Sequence, residues 1–444
     1  MSVLDNGRRM PNAELDLLAA RLSGEIAEQL ATANGDAASA RTDPARQALT
    51  HKLIVARLDR LSREFISQGS DLSEADEDEL AARIRSYLFG QGELDRLVHD
   101  DSIENVFANG WDDVWVRRAD GTNERAAPIV RSDEALTELI RQAAARDGRS
   151  ERRFDRGQPS VSFRLADGSR LTAVRDVSGR TVFALRRHRH TDTDLDELYR
   201  LGTVSRTLAA VLAAAVRARF NMLVVGGTDA GKTTLLRALL NAVDPDERLV
   251  TVEDALELQL SKHPDRHRNL VELECREQNI EGQGEVTMRY LTRLALRLSP
   301  DRLIVGEARG PEILDMFQAM SQGNDGSMGT LHARSSADAF VQITRYALKA
   351  PEHLTPEAVA VDIAASLDWV LHIHKVRDGR RVVSSLREIT GFDGAQVLSN
   401  EVFAPDELGR ATFRTPLQDA SLDRLVDAGF DPSLLDLPGG GWTW

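Results

Sequence analysis

The chain has 444 residues, more than one ordinary core accommodates, so two or three domains are expected. Hydrophobic residues make up 42% and charged residues 28%, and no run of about 18 apolar residues occurs, which leaves no candidate spanning helix. A net charge of −14 argues against bulk attraction to nucleic acid or anionic lipid.

The most apolar stretch, residues 208–225, is interrupted by Arg217 and Arg219. Arg8 and Arg9 are followed by no apolar segment, so a secretory signal is not expected and the chain reads as cytoplasmic. Cys275 is the single cysteine; it fits a reducing compartment and excludes a cysteine-based metal cluster. Its flanks read as the end of a strand, which makes it a packed thiol rather than a nucleophile.

Residues 13–31 carry helical periodicity through Leu15, Leu18, Leu22, Ile26 and Leu30. An Ala-, Asp-, Asn- and Thr-rich stretch follows and predicts a flexible linker over 31–46. Helices are predicted over 47–67 and 74–88, with Ser73 capping the second and Asp76 returning the bond to its amide. Residues 1–90 thus form a helical N-terminal extension.

From 91 to 195 the texture is that of a small α+β domain of short strands and turns. Residues 114–117 alternate, 119–121 turn, 161–164 are strand-like, and 166–169 carry a hairpin signal. A polar connector is expected over 191–201. From 200 to 400 buried strands alternate with helices, the pattern of a mostly parallel α/β sheet covered on both faces. Strands are predicted at 223–225, 249–252, 303–305, 328–331 and 369–373. Helices are predicted from Lys232 and at 287–298, 311–321, 336–348 and 356–366. The tail, 401–444, reads as irregular.

The strongest chemical signal is Gly226-Gly227-Thr228-Asp229-Ala230-Gly231-Lys232-Thr233-Thr234, a phosphate loop between an apolar strand and a helix. Its glycines let backbone N–H groups curl around a phosphate, and the helix N-terminus favours the same anion. Lys232 suits the β- and γ-phosphates, and the Thr233 hydroxyl suits Mg²⁺. Lysine is otherwise confined to positions 52, 262, 349 and 375, so Lys232 stands out. Asp229, a carboxylate in an anion cradle, must point outward or pair with an arginine.

Three further elements follow. Glu253, in Thr251-Val252-Glu253-Asp254, is either a group that polarises attacking water or part of a solvated acidic loop. Glu307 ends the strand Leu303-Ile304-Val305-Gly306-Glu307, where an acid completes a Mg²⁺ shell through water; the alternative is a cap before Arg309. His332 ends a strand in Met328-Gly329-Thr330-Leu331-His332-Ala333 and gains weight only from the other three.

In this order the four elements resemble the secretion traffic ATPases of type II and type IV systems, most closely the CpaF branch of Tad pilus assembly ATPases. Residues 298–310 (LSPDRLIVGEARG) and 324–327 (NDGS) carry the likeness, with 106–110 and 165–170 matching that family's N-terminal domain. The resemblance spans about residues 85–400. It implies a RecA-like P-loop core, a PAS-like α+β N-terminal domain, ATP and Mg²⁺ as ligands, and a homo-hexamer. Such relatives attach peripherally to the cytoplasmic face of the inner membrane through pilus or secretion platform proteins, without insertion and without nucleic acid as partner.

The resemblance also assigns roles. Lys232 and Thr233 form the Walker A pair, Glu253 is the catalytic carboxylate, Glu307 the Walker B acid and His332 the γ-phosphate sensor. Arg170 and Arg186 match N-terminal-domain arginines that reach the nucleotide; the plain alternative is a solvated basic strand over 180–189. Two positions depart from the pattern: Asn324 stands where the family has His, and Asp229-Ala230 replaces Gly-Ser. Slow turnover fits both. The rival readings are a nucleic-acid translocase or recombinase on the same core and a scaffold that binds ATP without cleaving it.

Overall fold

The computed structural model describes residues 10–33, 44–67, 72–89, 93–146, 153–165, 167–187, 192–276, 278 and 282–442. The chain divides into two compact units, residues 1–187 and 188–444.

The first unit opens with helices α1 (Asn12–Ala33), α2 (Pro44–Ser67) and α3 (Glu74–Phe89). Leu15, Leu22, Ile26, Ile54, Leu61, Leu80 and Ile84 recur at helical spacing and bury against one another as a core of their own. Most of the expected linker, residues 34–43, lies outside the described residues. Ser73 caps α3 by accepting from the Asp76 amide at 3.1 Å. Asp76 does not return the bond to the Ser73 amide. It accepts instead from the Ser73 hydroxyl, at 2.7 Å, and from the Met10 amide. Aspartate is one methylene shorter than the glutamate that closes a capping box.

After α4 (Glu93–His99) come β1 (Ile103–Ala108), β2 (Val114–Arg118), β3 (Asn123–Ala126), α5 (Asp133–Arg146), β4 (Ser160–Arg164), β5 (Arg170–Val174) and β6 (Val182–Arg186). They form an antiparallel sheet in the order β3-β2-β1-β6-β5-β4. The β4–β5 hairpin closes where the Asp-Gly signal stands, with the Leu165 amide donating to the Ser169 carbonyl at 2.8 Å; Ala166 lies outside the described residues. One sheet face packs Val106, Val116, Phe163, Leu171 and Leu185 against α5 through Leu136 and Ile140.

In the second unit, part of the expected polar connector is helical: α6 (Leu195–Arg200), whose Leu195 and Leu198 are buried and whose N-terminus Asp194 caps. The unit continues through α7 (Arg206–Arg217), β7 (Met222–Gly226), α8 (Lys232–Leu240), β8 (Leu249–Glu253), β9 (Leu270–Glu274), α9 (Met288–Leu296) and β10 (Arg302–Ala308). Then follow α10 (Glu312–Ser321), β11 (Met328–His332), α11 (Asp338–Ala347), α12 (Pro356–Ser366) and β12 (Trp369–Lys375). The last elements are β13 (Arg381–Phe392), β14 (Val397–Pro405), β15 (Ala411–Phe413) and α13 (Asp419–Asp427).

The nine strands lie in the order β15-β14-β13-β12-β7-β11-β10-β8-β9, parallel from β12 to β9 and antiparallel from β12 outward to β15. Side chains alternate through this sheet as strand geometry demands. On β7, Met222 and Val224 join the core with α7 and α8, while Leu223 and Val225 join the opposite core with α10, α11 and α12. The expectation of a parallel α/β sheet clothed on both faces is met.

The tail corrects an expectation. Residues 401–444, read as irregular, supply most of β14, β15 and α13. Phe403 and Leu425 are fully buried, and the Arg424 guanidinium lies 3.8 Å from the Phe220 ring centroid. The Asp393-Gly394 turn that joins β13 to β14 is an ordinary hairpin signal, but the strand after it mixes Ser, Asn and Glu with its apolar residues and hides its period.

Candidate functional site

Parallel pairing brings four strand ends to one edge of the second unit's sheet. Gly226 of β7 pairs with His332 of β11, β11 neighbours β10 with Glu307, and β10 neighbours β8 with Glu253. In an open α/β sheet this carboxyl edge is where ligands bind. The phosphate loop, the acidic box, the strand-end acid and the histidine, scattered over 107 sequence positions (226 to 332), form one row.

The loop leaves β7 at Gly226, where an added Cβ would stand 2.3 Å from the Ile373 carbonyl oxygen of β12, so only glycine fits. Gly227 and Thr228 are exposed, Ala230 is buried, and α8 begins at Lys232 with half-buried Thr233 and Thr234 in its first turn. Asp229 has φ 60° and Gly231 φ 98°, left-handed values that aspartate tolerates better than most residues. Arg381, the first residue of β13, satisfies the awkward carboxylate: its Nη2 lies 3.1 Å from Asp229 Oδ1 and its Nε donates to the Asp229 carbonyl at 3.1 Å.

Lys232 is buried, its ammonium donating to the carbonyls of Gly227 at 2.9 Å and Gly226 at 3.3 Å. It also lies 3.2 Å from Nδ1 of His332. The other ring nitrogen, Nε2, is 2.5 Å from Glu307 Oε1. Burial, and then the Lys232 ammonium, hold the imidazole below its ordinary pKa, so it is neutral, with Nδ1 turned to the ammonium. Glu307 Oε2 accepts from Arg309, which reaches on to Asp254 at 3.6 Å. Lys232, His332, Glu307, Arg309 and Asp254 thus lie in one row of close polar and ionic contacts.

Glu307 is aimed by a local irregularity. The β10–β11 register slips between Val305 and Ala308, and the Thr330 hydroxyl fills the gap by donating to the Gly306 carbonyl at 2.7 Å. A bulge of this kind turns a side chain out of its regular alternation.

Glu253 is only 2% exposed, which excludes the solvated acidic loop. Its Oε2 accepts from the amides of Glu257 and Leu258 at 2.8 and 2.9 Å, and its Oε1 is buried with no hydrogen-bond partner. Desolvation pushes its pKa up to about 8 against the pull of those two amides. The side chain crosses directly over Gly306, where an added Cβ would stand 2.7 Å from Glu253 Cγ.

Arg170 and Arg186 belong to the first unit, where they face each other as register partners on β5 and β6. They are not among the residues that the second unit brings together. Asn324 stands apart from the row: its side chain donates to the Pro300 carbonyl at 2.6 Å, ahead of the amino ends of β10 and β11. Its position at the far edge of the sheet removes it from the phosphate loop. Cys275, half-buried and pushed up to about 11 by burial, is the packed thiol expected.

Among the described residues, no three His, Cys, Asp or Glu side chains gather into a ready-made metal cage. Mg²⁺ keeps much of its water and takes one or two protein groups besides phosphate. The orphaned Oε1 of Glu253, the glycine-only approach at 226 and the buried Lys232 ammonium fit a magnesium nucleotide at this edge. The sequence reading missed Arg237, Arg309, Arg381 and Gly306. Only Arg381 had a signal, the carboxylate at 229 that demanded a cation, and its partner lies 152 positions away.

A phosphate loop between a central strand and a helix, with a histidine ending the adjacent strand and acids ending the next two, defines a P-loop nucleotide-hydrolase core. The family described as Type II/IV secretion system protein matches residues 88–390. A putative conjugal transfer protein of Mycobacterium tuberculosis is 38% identical over 320 residues, 70% of this chain and 88% of the relative. A probable conjugal transfer protein TrbB of Sinorhizobium fredii is 27% identical over 288 residues, 64% of this chain and 82% of that one. Among solved structures, the VirB11 ATPase of the Brucella suis type IV secretion system, in complex with sulphate, is 27% identical. It covers 66% of this chain and 91% of its own, with a TM-score of 0.36. The chain belongs to the type II/IV secretion system family of traffic ATPases.

Proposed function

We propose that this chain is a magnesium-dependent ATP-hydrolysing motor that works as a homo-hexamer and powers a Tad-like or type IV pilus or a type II/IV secretion machine. The observation that carries the reading is the row Lys232–His332–Glu307 beside Glu253 at the carboxyl edge of one sheet.

Each group has a task. The loop amides from 227 to 233 grip the phosphates, and Lys232 exchanges its loop carbonyls for β- and γ-oxygens. Thr233 and, through water, Glu307 would hold Mg²⁺, which would supply positive charge against the developing negative charge. Glu253 takes a proton from the attacking water; a carboxyl poised near pH 8 is a far stronger base than an exposed one once ionised. Neutral His332, touching both Lys232 and Glu307, is placed to register the γ-phosphate. Arg170 and Arg186, on a PAS-like N-terminal domain, deliver charge to the nucleotide and couple closure to hydrolysis. Asp229 has its arginine and Asn324 sits at the far edge, which weakens the case for a scaffold that only binds ATP.

No described helix is long and apolar enough to cross a membrane, so attachment is proposed to be peripheral, through platform proteins on the cytoplasmic face. The relatives named conjugal transfer proteins favour a second reading, in which the machine exports DNA. Phosphate release from Mg-ATP tests the enzyme, and native mass spectrometry tests the hexamer. No phosphate release from the purified chain with its platform proteins present ends the motor reading; strong stimulation by DNA favours the second one.

A further inference from the structure

The phosphate loop of this chain carries its own negative charge, and the structure shows how that charge is managed. Arg381 grips Asp229 twice, through the backbone carbonyl and through the carboxylate, both at 3.1 Å. The two grips act differently. In a trans peptide the carbonyl and the next amide point in opposite directions. Fixing the Asp229 carbonyl on Arg381 therefore turns the Ala230 N–H the other way, where it donates to the Gly227 carbonyl at 3.4 Å and closes the turn of the loop. The guanidinium thus holds the loop's turn from outside while the loop's own hydrogen bond holds it from within.

The carboxylate grip cancels a charge that would otherwise repel the ligand. At a distance of a few ångströms an uncompensated carboxylate weakens the hold on an arriving phosphate, because like charges repel at a partly exposed site. The arginine stem lies along the loop as well: a Cβ at Gly231 would stand 3.1 Å from Arg381 Cδ. Arg381 arrives on β13, the strand paired with β12, which in turn flanks β7, so the sheet itself carries the guanidinium to the loop.

We infer that Arg381 is the positioning residue of the phosphate loop, and that its pairing with Asp229 sets the affinity for nucleoside di- and triphosphates. The inference rests on the ATPase reading and concerns affinity rather than the chemical step.

The test is a double-mutant cycle over Arg381→Ala, Asp229→Gly and the two combined, read by fluorescence titration with MANT-ADP. A glycine at position 229 accepts φ 60° without strain, so Asp229→Gly keeps the loop's backbone. Arg381→Ala is expected to weaken MANT-ADP about tenfold or more, and the same change in the Asp229→Gly background at least about fivefold less. ATP turnover by Arg381→Ala should show a raised KM with kcat within about threefold. Arg381→Lys, which keeps the charge but not the fork, should fall between.

Equal loss in both backgrounds overturns the inference that the pairing sets affinity, because Arg381 would then act without the Asp229 carboxylate. So does wild-type binding by Arg381→Ala, or a fall in kcat at unchanged KM. Failure of the wild-type chain to bind MANT-ADP overturns both the ATPase reading and this inference, whereas wild-type binding with a flat cycle sinks the inference alone.

Discussion

Arg237 and Glu253 hold opposite sides of the same two residues. The Arg237 guanidinium donates to the carbonyls of Glu257 and Leu258 at 2.6 and 2.8 Å, while the Glu253 carboxylate accepts from their amides at 2.8 and 2.9 Å. Arg237 lies about one and a half turns along the helix that begins with Lys232, so the phosphate-loop helix and the acidic box are tied through one short loop. Arg237 is itself buried, and burial depresses its pKa. The position of the Glu253 carboxylate is thereby coupled to the helix that follows the phosphate loop.

Glu253→Gln is expected to cut kcat about 100-fold or more while leaving MANT-ADP affinity within about threefold. The amide oxygen can still accept from Glu257 and Leu258, so the fold survives and only the base is lost. Unchanged kcat in a phosphate-release assay would remove Glu253 from the chemistry.

The same variant has a signature in stability. The folded pKa of about 8 lies above the ordinary 4.5, so folding takes up a proton between these values. Stability from this group is complete below pH 4.5 and is lost as pH rises through 8. The melting temperature of Glu253→Gln minus that of wild type should therefore grow from about pH 5 to about pH 8.5. A constant difference across that range, by scanning fluorimetry without nucleotide, contradicts the buried carboxyl.

Gly306→Ala drives a methyl group to 2.7 Å from Glu253 Cγ. Overpacking of this kind costs about 1–3 kcal/mol and displaces the carboxylate. The expected result is a lower melting temperature and a kcat loss that disappears when Glu253 is already Gln. Additive losses in the double variant would show that Gly306 matters for another reason.

Lys232→Ala should weaken nucleotide binding more than about 100-fold, near the roughly 2.7 kcal/mol that a charge-assisted contact supplies. It should also raise the pKa of His332, since the ammonium at 3.2 Å helps to depress it. An NMR titration of His332 in the variant reads this directly, and no upward movement would disprove the Lys232–His332 contact.

Glu307→Gln removes the charge that Arg309 holds and His332 faces. Because the proposed role is to hold Mg²⁺, the variant should need about tenfold more magnesium for half-maximal turnover while binding MANT-ADP normally in EDTA. An unaltered magnesium requirement assigns Glu307 elsewhere.

The four motifs were legible because each is local: a glycine run before a helix, or an apolar strand ending in one acid or base. Their convergence follows from parallel pairing alone, so Lys232, Glu307 and His332 could be grouped from the chain itself. Residues that support the motifs could not. Arg237 and Arg381 look like surface arginines in a chain that uses arginine for nearly all its positive charge, and what buries or engages them lies on another strand or loop. Glu253 left two readings open because sequence gives the residue type but not the depth of its burial. The tail escaped for a related reason: on β14 Leu398 is exposed, Ser399 and Glu401 are half-buried, and Val402 and Phe403 are both buried, so polarity and burial follow no single period.

The hairpin from β12 to β13 sets a practical boundary for anyone trimming this chain. Shortening it to end after Lys375, just past the last parallel strand, would keep every recognisable nucleotide motif and still delete Arg381. Such a fragment should retain the sheet's parallel half yet bind nucleotide poorly, and expression variants need to run at least through Phe413, where the antiparallel edge closes.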